Sequence, residues 1–188
     1  MLFENKYRIE TTRLKNWDYS SNGYYYITIC TKNRECLFGN IAGEKMQLST
    51  IGEIVLQCWN DSFVMRKELS CDQFVIMPNH IHGIVIIEKL VETHGNASGH
   101  GIETQGLASL QDNNKPHRMP KSVSSFIGGF KSAVTKRVNE IRHTPGAAIW
   151  QNRFYDHIIR DEKSLQRIRE YIVNNPMNWQ TDEQNRNP

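Results

Sequence analysis

Residues 75–87 read VIMPNHIHGIVII, two β-rich apolar runs broken by a Pro-Asn pair. Proline removes a backbone donor and asparagine bonds its own turn, so the break predicts a tight reversal with the two runs paired as a hairpin. The second run is almost wholly apolar, yet it opens with His80 and His82. Side chains alternate along a strand, so both imidazoles leave one face, roughly 7 Å apart at ~3.3 Å rise per residue, and Ile81 leaves the other. Two imidazoles so placed can share one divalent ion.

The hairpin sits inside a readable order of elements. GYYYITICT (23–31) has strand composition, and short strand-like pieces follow near Leu37 and Met46. STIGEIVLQCWNDSFVMRKE begins with a capping residue and repeats apolar side chains at Ile51, Ile54, Val55, Cys58 and Trp59, the spacing of an amphipathic helix. CDQFVIM and HIHGIVIIE are the hairpin strands. The stretch 91–119 is Gly-rich, polar and aperiodic, and reads as a long mobile loop. A helix from Ser122 to about Arg142 carries Val123, Phe126, Ile127, Phe130, Val134, Val138 and Ile141 on one stripe; its Gly128-Gly129 pair implies close packing or a bend. AIWQNRFYDHIIR then reads as a strand and DEKSLQRIREYIVNN as a last helix closed by Pro176, with a polar tail at 180–188 that reads as uninformative. The order predicts a single α+β domain over 1–188: a ferredoxin-like or RRM-like antiparallel sheet, helices packed on it, and an extra C-terminal helix.

Composition excludes several classes. With 38% hydrophobic and 23% charged residues the chain reads as globular, and no run approaches a membrane span. The charged start MLFENKYRIE lacks the apolar core of a signal peptide, and Cys30, Cys36, Cys58 and Cys71 form no CxxC pair or zinc spacing, so reduced thiols in a cytoplasmic protein are expected. Between Lys115 and Arg142 stand seven Lys or Arg against one acid, Glu140, an excess larger than the whole chain's +3. That basic helix suits a polyanion, and Lys121, Lys131, Lys136 and Arg137 are its candidate DNA contacts.

Two histidines leave a cation incompletely ligated. Tyr171 and Asn175 stand at i and i+4 on the last helix, hence on one face. If that helix crosses the histidine face, Asn175 completes a two-His, one-amide site with a tyrosine one turn away. A tyrosine beside a hard cation can attack a phosphodiester, giving a phosphotyrosine and a free hydroxyl without ATP; no GxxxxGK[ST] loop is present. Histidine-triad hydrolases need a further His where this chain has Ile84, and no second H-x-[ST] element serves a two-histidine phosphoesterase. A rival of another class is a non-catalytic single-stranded nucleic-acid-binding module, with Tyr24, Tyr25 and Tyr26 exposed on an RRM-like sheet.

MPNHIHG together with WQNRFYDHIIRDEKSLQRIREYIVNNPMNW closely resembles the REP-associated tyrosine transposases, members of the HUH class of single-strand endonucleases (U being a hydrophobic residue). RLKNWDYSSNGYYYITICTKNRECLFG resembles that family's opening and FKSAVTK its basic helix. The resemblance implies His80, His82 and Asn175 as ligands of Mg2+ or Mn2+, and Tyr171 as the single catalytic nucleophile. It further implies single-stranded DNA hairpins as the substrate, cleaved and transferred by an enzyme working as a monomer or a homodimer. The segment 91–119 is longer than the family needs.

Overall fold

The computed structural model describes residues 17–89 and 120–185, Leu14, and the backbone of two short paired strands, β1 (Leu2–Phe3) and β2 (Tyr7–Arg8). The segment read as a mobile loop lies outside the described residues, as do 186–188.

Strand β3 (Gly23–Cys30) leads through a small hairpin, β4 (Gly39–Ala42) and β5 (Lys45–Leu48), into α1 (Thr50–Met65). The expected hairpin follows as β6 (Leu69–Met77) and β7 (His80–Ile87), then α2 (Val123–Arg142), β8 (Tyr155–Ile159) and α3 (Glu162–Asn174). The main sheet runs β6-β7-β3-β8 with every pair antiparallel, so the α+β, ferredoxin-like arrangement is the one the chain adopts. Of the stretch 148–160, only Tyr155–Ile159 joins the ladder; Trp150 makes one bridge to Thr31. The Lys131 ammonium takes the carbonyls of Gln151 and Arg153, which the ladder then lacks.

Caps and stripes explain the helices. Ser49 accepts from the Gly52 amide to start α1, and Ser122 and Ser125 form a reciprocal capping box at the start of α2. The α2 stripe Val123, Phe126, Ile127, Phe130, Val134 and Val138 is buried with Val55, Cys58 and Trp59 of α1 against one sheet face, Tyr25, Ile27, Ile29, Ile81, Val85 and Ile87. Helix α3 covers the other face over a smaller cluster of Ile84, Ile159, Leu165 and Ile172. Gly83 belongs to the first face: a Cβ there would lie 2.8 Å from Cη2 of Trp59, whose ring stacks on Phe74. The glycine after the histidines is thus the gap into which the core tryptophan fits. At Gly129 the expected close approach is not found, since α2 runs unbroken and a Cβ would meet only Arg66 Nη2, at 3.9 Å. Among the described residues no helix is long and apolar enough to cross a membrane.

Candidate metal and tyrosine site

Strand alternation sends His80 and His82 to the α3 side, with Cys30 and Thr28 beside them on β3 and Met77 and Val75 on β6. Both rings are buried, and their Nε2 atoms face each other at 2.9 Å. Burial pushes the His80 imidazole down to about 3, helped by the nearby Arg34 charge. His82 also lies well below the ordinary histidine value, through burial first and His80 second, against the pull of Asp182. Both are therefore neutral at pH 7, the form that ligates metals. Behind them, His82 Nδ1 meets Tyr26 Oη at 2.8 Å and Thr28 Oγ1 at 2.9 Å, and His80 Nδ1 meets Asn79 Oδ1 at 2.8 Å.

Helix α3 brings the tyrosine. Asp161 caps it by accepting from the Ser164 amide, Leu165 and Ile172 turn inward two turns apart, and Arg169 forks onto Asp72 of β6 with contacts of 2.8 and 2.6 Å. This geometry sets Tyr171 Oη 3.4 Å from His82 Nε2, ring edge to ring face, while the tyrosine keeps 46% of its surface exposed. Burial and the Asp182 charge hold its phenol above the usual tyrosine value, so it is protonated at neutral pH. One turn on, Asn175 is buried; its Nδ2 donates to Asp182 Oδ2 at 3.0 Å, and its Oδ1 has no hydrogen-bond partner among the described residues.

Asp182 was not anticipated. The first residues of the tail read as uninformative continue a 3-10 turn, Trp179–Thr181, with Trp179 buried and its ring centroid 6.1 Å from that of His80. The turn delivers the Asp182 carboxylate to the histidines, and one ligand atom from each of His80, His82 and Asp182 lies within 4.8 Å of the others. The isolated tryptophan in a polar stretch was the available signal, since a large apolar side chain there needs a place to dock. These residues fit a divalent cation. Two neutral nitrogens at 2.9 Å are spaced like neighbouring donors on one ion with bonds of ~2.1 Å, a carboxylate lies within reach of both, and Asn175, bonded to that carboxylate, keeps an unpartnered buried amide oxygen.

The candidate DNA contacts lie elsewhere. Helix α2 packs on the sheet face opposite the histidines, though the Lys131 charge reaches the Cys30 thiol beside them. Lys131 holds backbone carbonyls and Arg137 pairs with Asp61 at 3.0 Å, while Lys136 and Lys121 are exposed. The exposed tyrosine platform of the rival reading is also not formed: Tyr25 is fully buried in the helix-side core, and Tyr24 and Tyr26 pack beneath α3. Tyr155 shares the histidine face and is 48% exposed; its ring centroid lies 6.2 Å from that of Tyr26, and it pairs across the ladder with Thr28, whose hydroxyl meets His82.

No protein-family profile matches the chain. An uncharacterized protein of Haemophilus influenzae is 40% identical over 172 residues, 91% of this chain and 89% of that protein. The chain belongs to its family. Among solved structures, a REP-associated tyrosine transposase bound to a REP hairpin superposes with a TM-score of 0.58 at 18% identity, over 90% of this chain and 74% of that one. The chain has the fold of a REP-associated tyrosine transposase. On that transposase fold, the histidine strand and the tyrosine helix meet from different parts of the sequence, β7 and α3.

Proposed function

We propose that the protein is a metal-dependent tyrosine transposase that cuts and transfers single-stranded DNA at hairpin-forming repeats through a covalent phosphotyrosine. The observation that carries this is the Tyr171 hydroxyl, half-exposed and 3.4 Å from a histidine nitrogen that lies 2.9 Å from its twin. His80, His82, Asp182 and Asn175 would hold Mg2+ or Mn2+, whose charge would draw electrons from the non-bridging oxygens of a phosphodiester. Tyr171 Oη then forms the new P–O bond as the P–O bond to one sugar breaks. The phenolic proton goes to solvent, to which the ring is open, and the departing sugar oxygen takes up a proton as a free hydroxyl. Because one ester replaces another, the reverse attack by a DNA hydroxyl restores a continuous strand without a nucleotide cofactor. The preference for hairpins rests on the sequence resemblance and on the hairpin bound to the structural neighbour.

The test is covalent capture. Incubation with a labelled single-stranded hairpin and Mn2+ should give a DNA-linked protein that survives denaturation and is absent with EDTA. Hairpin binding without any adduct, under every divalent ion tried, would favour a binding module instead.

A further inference from the structure

Asn79 sits in the turn between β6 and β7 with 2% of its surface exposed. Its Nδ2 donates to two backbone carbonyls, Arg34 O at 3.1 Å and Gln184 O at 2.8 Å, and its Oδ1 faces His80 Nδ1 at 2.8 Å. Carbonyl oxygens only accept, so the end facing Arg34 and Gln184 must be the NH2 and the end facing His80 the oxygen. An amide oxygen carries no proton; His80 Nδ1 therefore does, and His80 presents a bare Nε2 to His82. No flip of the carboxamide keeps all three bonds.

His82 is held differently. Its Nδ1 meets the hydroxyls of Tyr26 and Thr28, and a hydroxyl donates or accepts as required. Its proton can thus sit on Nε2, closing the pair with an N–H···N bond, or on Nδ1, leaving both Nε2 lone pairs aimed at one region. One imidazole is locked and the other is free to switch.

The same carboxamide reaches the segment that carries Asp182. Gln184 is fixed by Asn79 through its carbonyl, by Arg34 Nη1 through its side-chain oxygen at 2.7 Å, and by Asp182 Oδ1, which accepts its amide at 2.6 Å. The Arg34 carbonyl that completes the arrangement comes from a residue in the left-handed region, φ +57°, a conformation that non-glycine residues rarely hold.

We propose that Asn79 is a positioning residue that assembles the ion site from both sides: its oxygen fixes the tautomer that makes His80 a ligand, and its NH2 ties down the turn bearing Asp182. The inference rests on the reading of His80, His82 and Asp182 as an ion site. The turn's bonds from the Thr31 amide and hydroxyl to the Asn79 carbonyl do not involve the Asn79 side chain, so substitution leaves them available.

Two variants separate the two roles. Asn79→Ala removes both; Asn79→Asp keeps an acceptor for His80 but sets a second acceptor against the two carbonyls. Long-range proton–nitrogen spectra of the ion-free protein read the His80 tautomer, amide exchange at Gln184 and Asn185 reads the segment, and calorimetry with Mn2+ alone reads the site. In Asn79→Ala the fixed Nδ1–H signature of His80 should be lost, exchange should quicken, and Mn2+ affinity should fall about 10–100-fold. In Asn79→Asp the tautomer should persist while exchange quickens. An Asn79→Ala variant with the wild-type tautomer and wild-type Mn2+ affinity would overturn the proposal, as would loss of the tautomer in Asn79→Asp. A wild-type protein that takes up no Mn2+ would refute the ion site, while the spectra would still decide whether Asn79 governs His80.

Discussion

Replacing Gly83 by alanine tests how the core supports the histidine strand. The added methyl would lie 2.8 Å from Cη2 and 2.9 Å from Cζ2 of Trp59, well inside ordinary carbon contact, so the ring or the strand must move by more than half an ångström. Trp59 has little room to retreat: it stacks on Phe74 with centroids 4.1 Å apart and meets Phe126 and Phe130 edge-on at 5.5 Å each. Overpacking costs about 1–3 kcal/mol, and a ring wedged on three sides puts Gly83→Ala near the top of that range. At about 2–4 °C per kcal/mol for a chain of this size, the midpoint should fall by roughly 5–10 °C. Urea unfolding followed by circular dichroism gives the free energy, and Trp59→Phe, which frees the space of the outer indole ring, should recover about 1 kcal/mol or more of it in a double-mutant cycle. Strict additivity of the two substitutions, or a neutral Gly83→Ala, would refute the reasoning that Trp59 dictates this glycine.

Gly129→Ala should act in the opposite sense, raising stability by about 0.5–1 kcal/mol by calorimetry, because its Cβ has open space in an unbroken helix. Acid stability should report the buried histidines. Folded His80 and His82 titrate far below 6.5, so the unfolded chain binds more protons under acid conditions, and stability falls as pH drops below about 6.5 by about 1.4 kcal/mol per pH unit for each histidine. The loss levels off near pH 3 for His80, and urea titrations of a His80→Gln/His82→Gln variant should show a flatter slope over that window. Arg169→Met removes the fork onto Asp72 that fixes α3 to β6, so adduct formation should drop more than hairpin affinity in paired cleavage and anisotropy assays.

The histidine pair was legible because strand alternation is strict: once residues 80–87 form a strand, one register sends both imidazoles the same way. Tyr171 and Asn175 were legible for the same kind of reason, a helical repeat on a well-capped amphipathic helix. The helix stripes were also clear, but a stripe says only that a helix packs, not on which face of the sheet. Which side of the sheet the basic helix α2 would cover, the one opposite the histidines, was therefore not legible. Asp182 escaped because a short 3-10 turn has no periodic pattern, and its docking depends, besides Trp179, on Arg34 and Asn79, which are distant in sequence. The Gly128-Gly129 pair misled at Gly129, where low helix propensity marks no close contact.

The central claim is that Tyr171, not Tyr155, becomes joined to DNA beside the histidine pair. Peptide mass mapping of the adduct formed with a single-stranded hairpin and Mn2+ measures this directly, with Tyr171→Phe and Tyr155→Phe run in parallel. The account predicts nucleotide mass on the peptide containing Tyr171, complete loss of adduct in Tyr171→Phe because the missing hydroxyl is the attacking atom, and its persistence in Tyr155→Phe. Nucleotide mass on Tyr155, or an undiminished adduct in Tyr171→Phe, would contradict it.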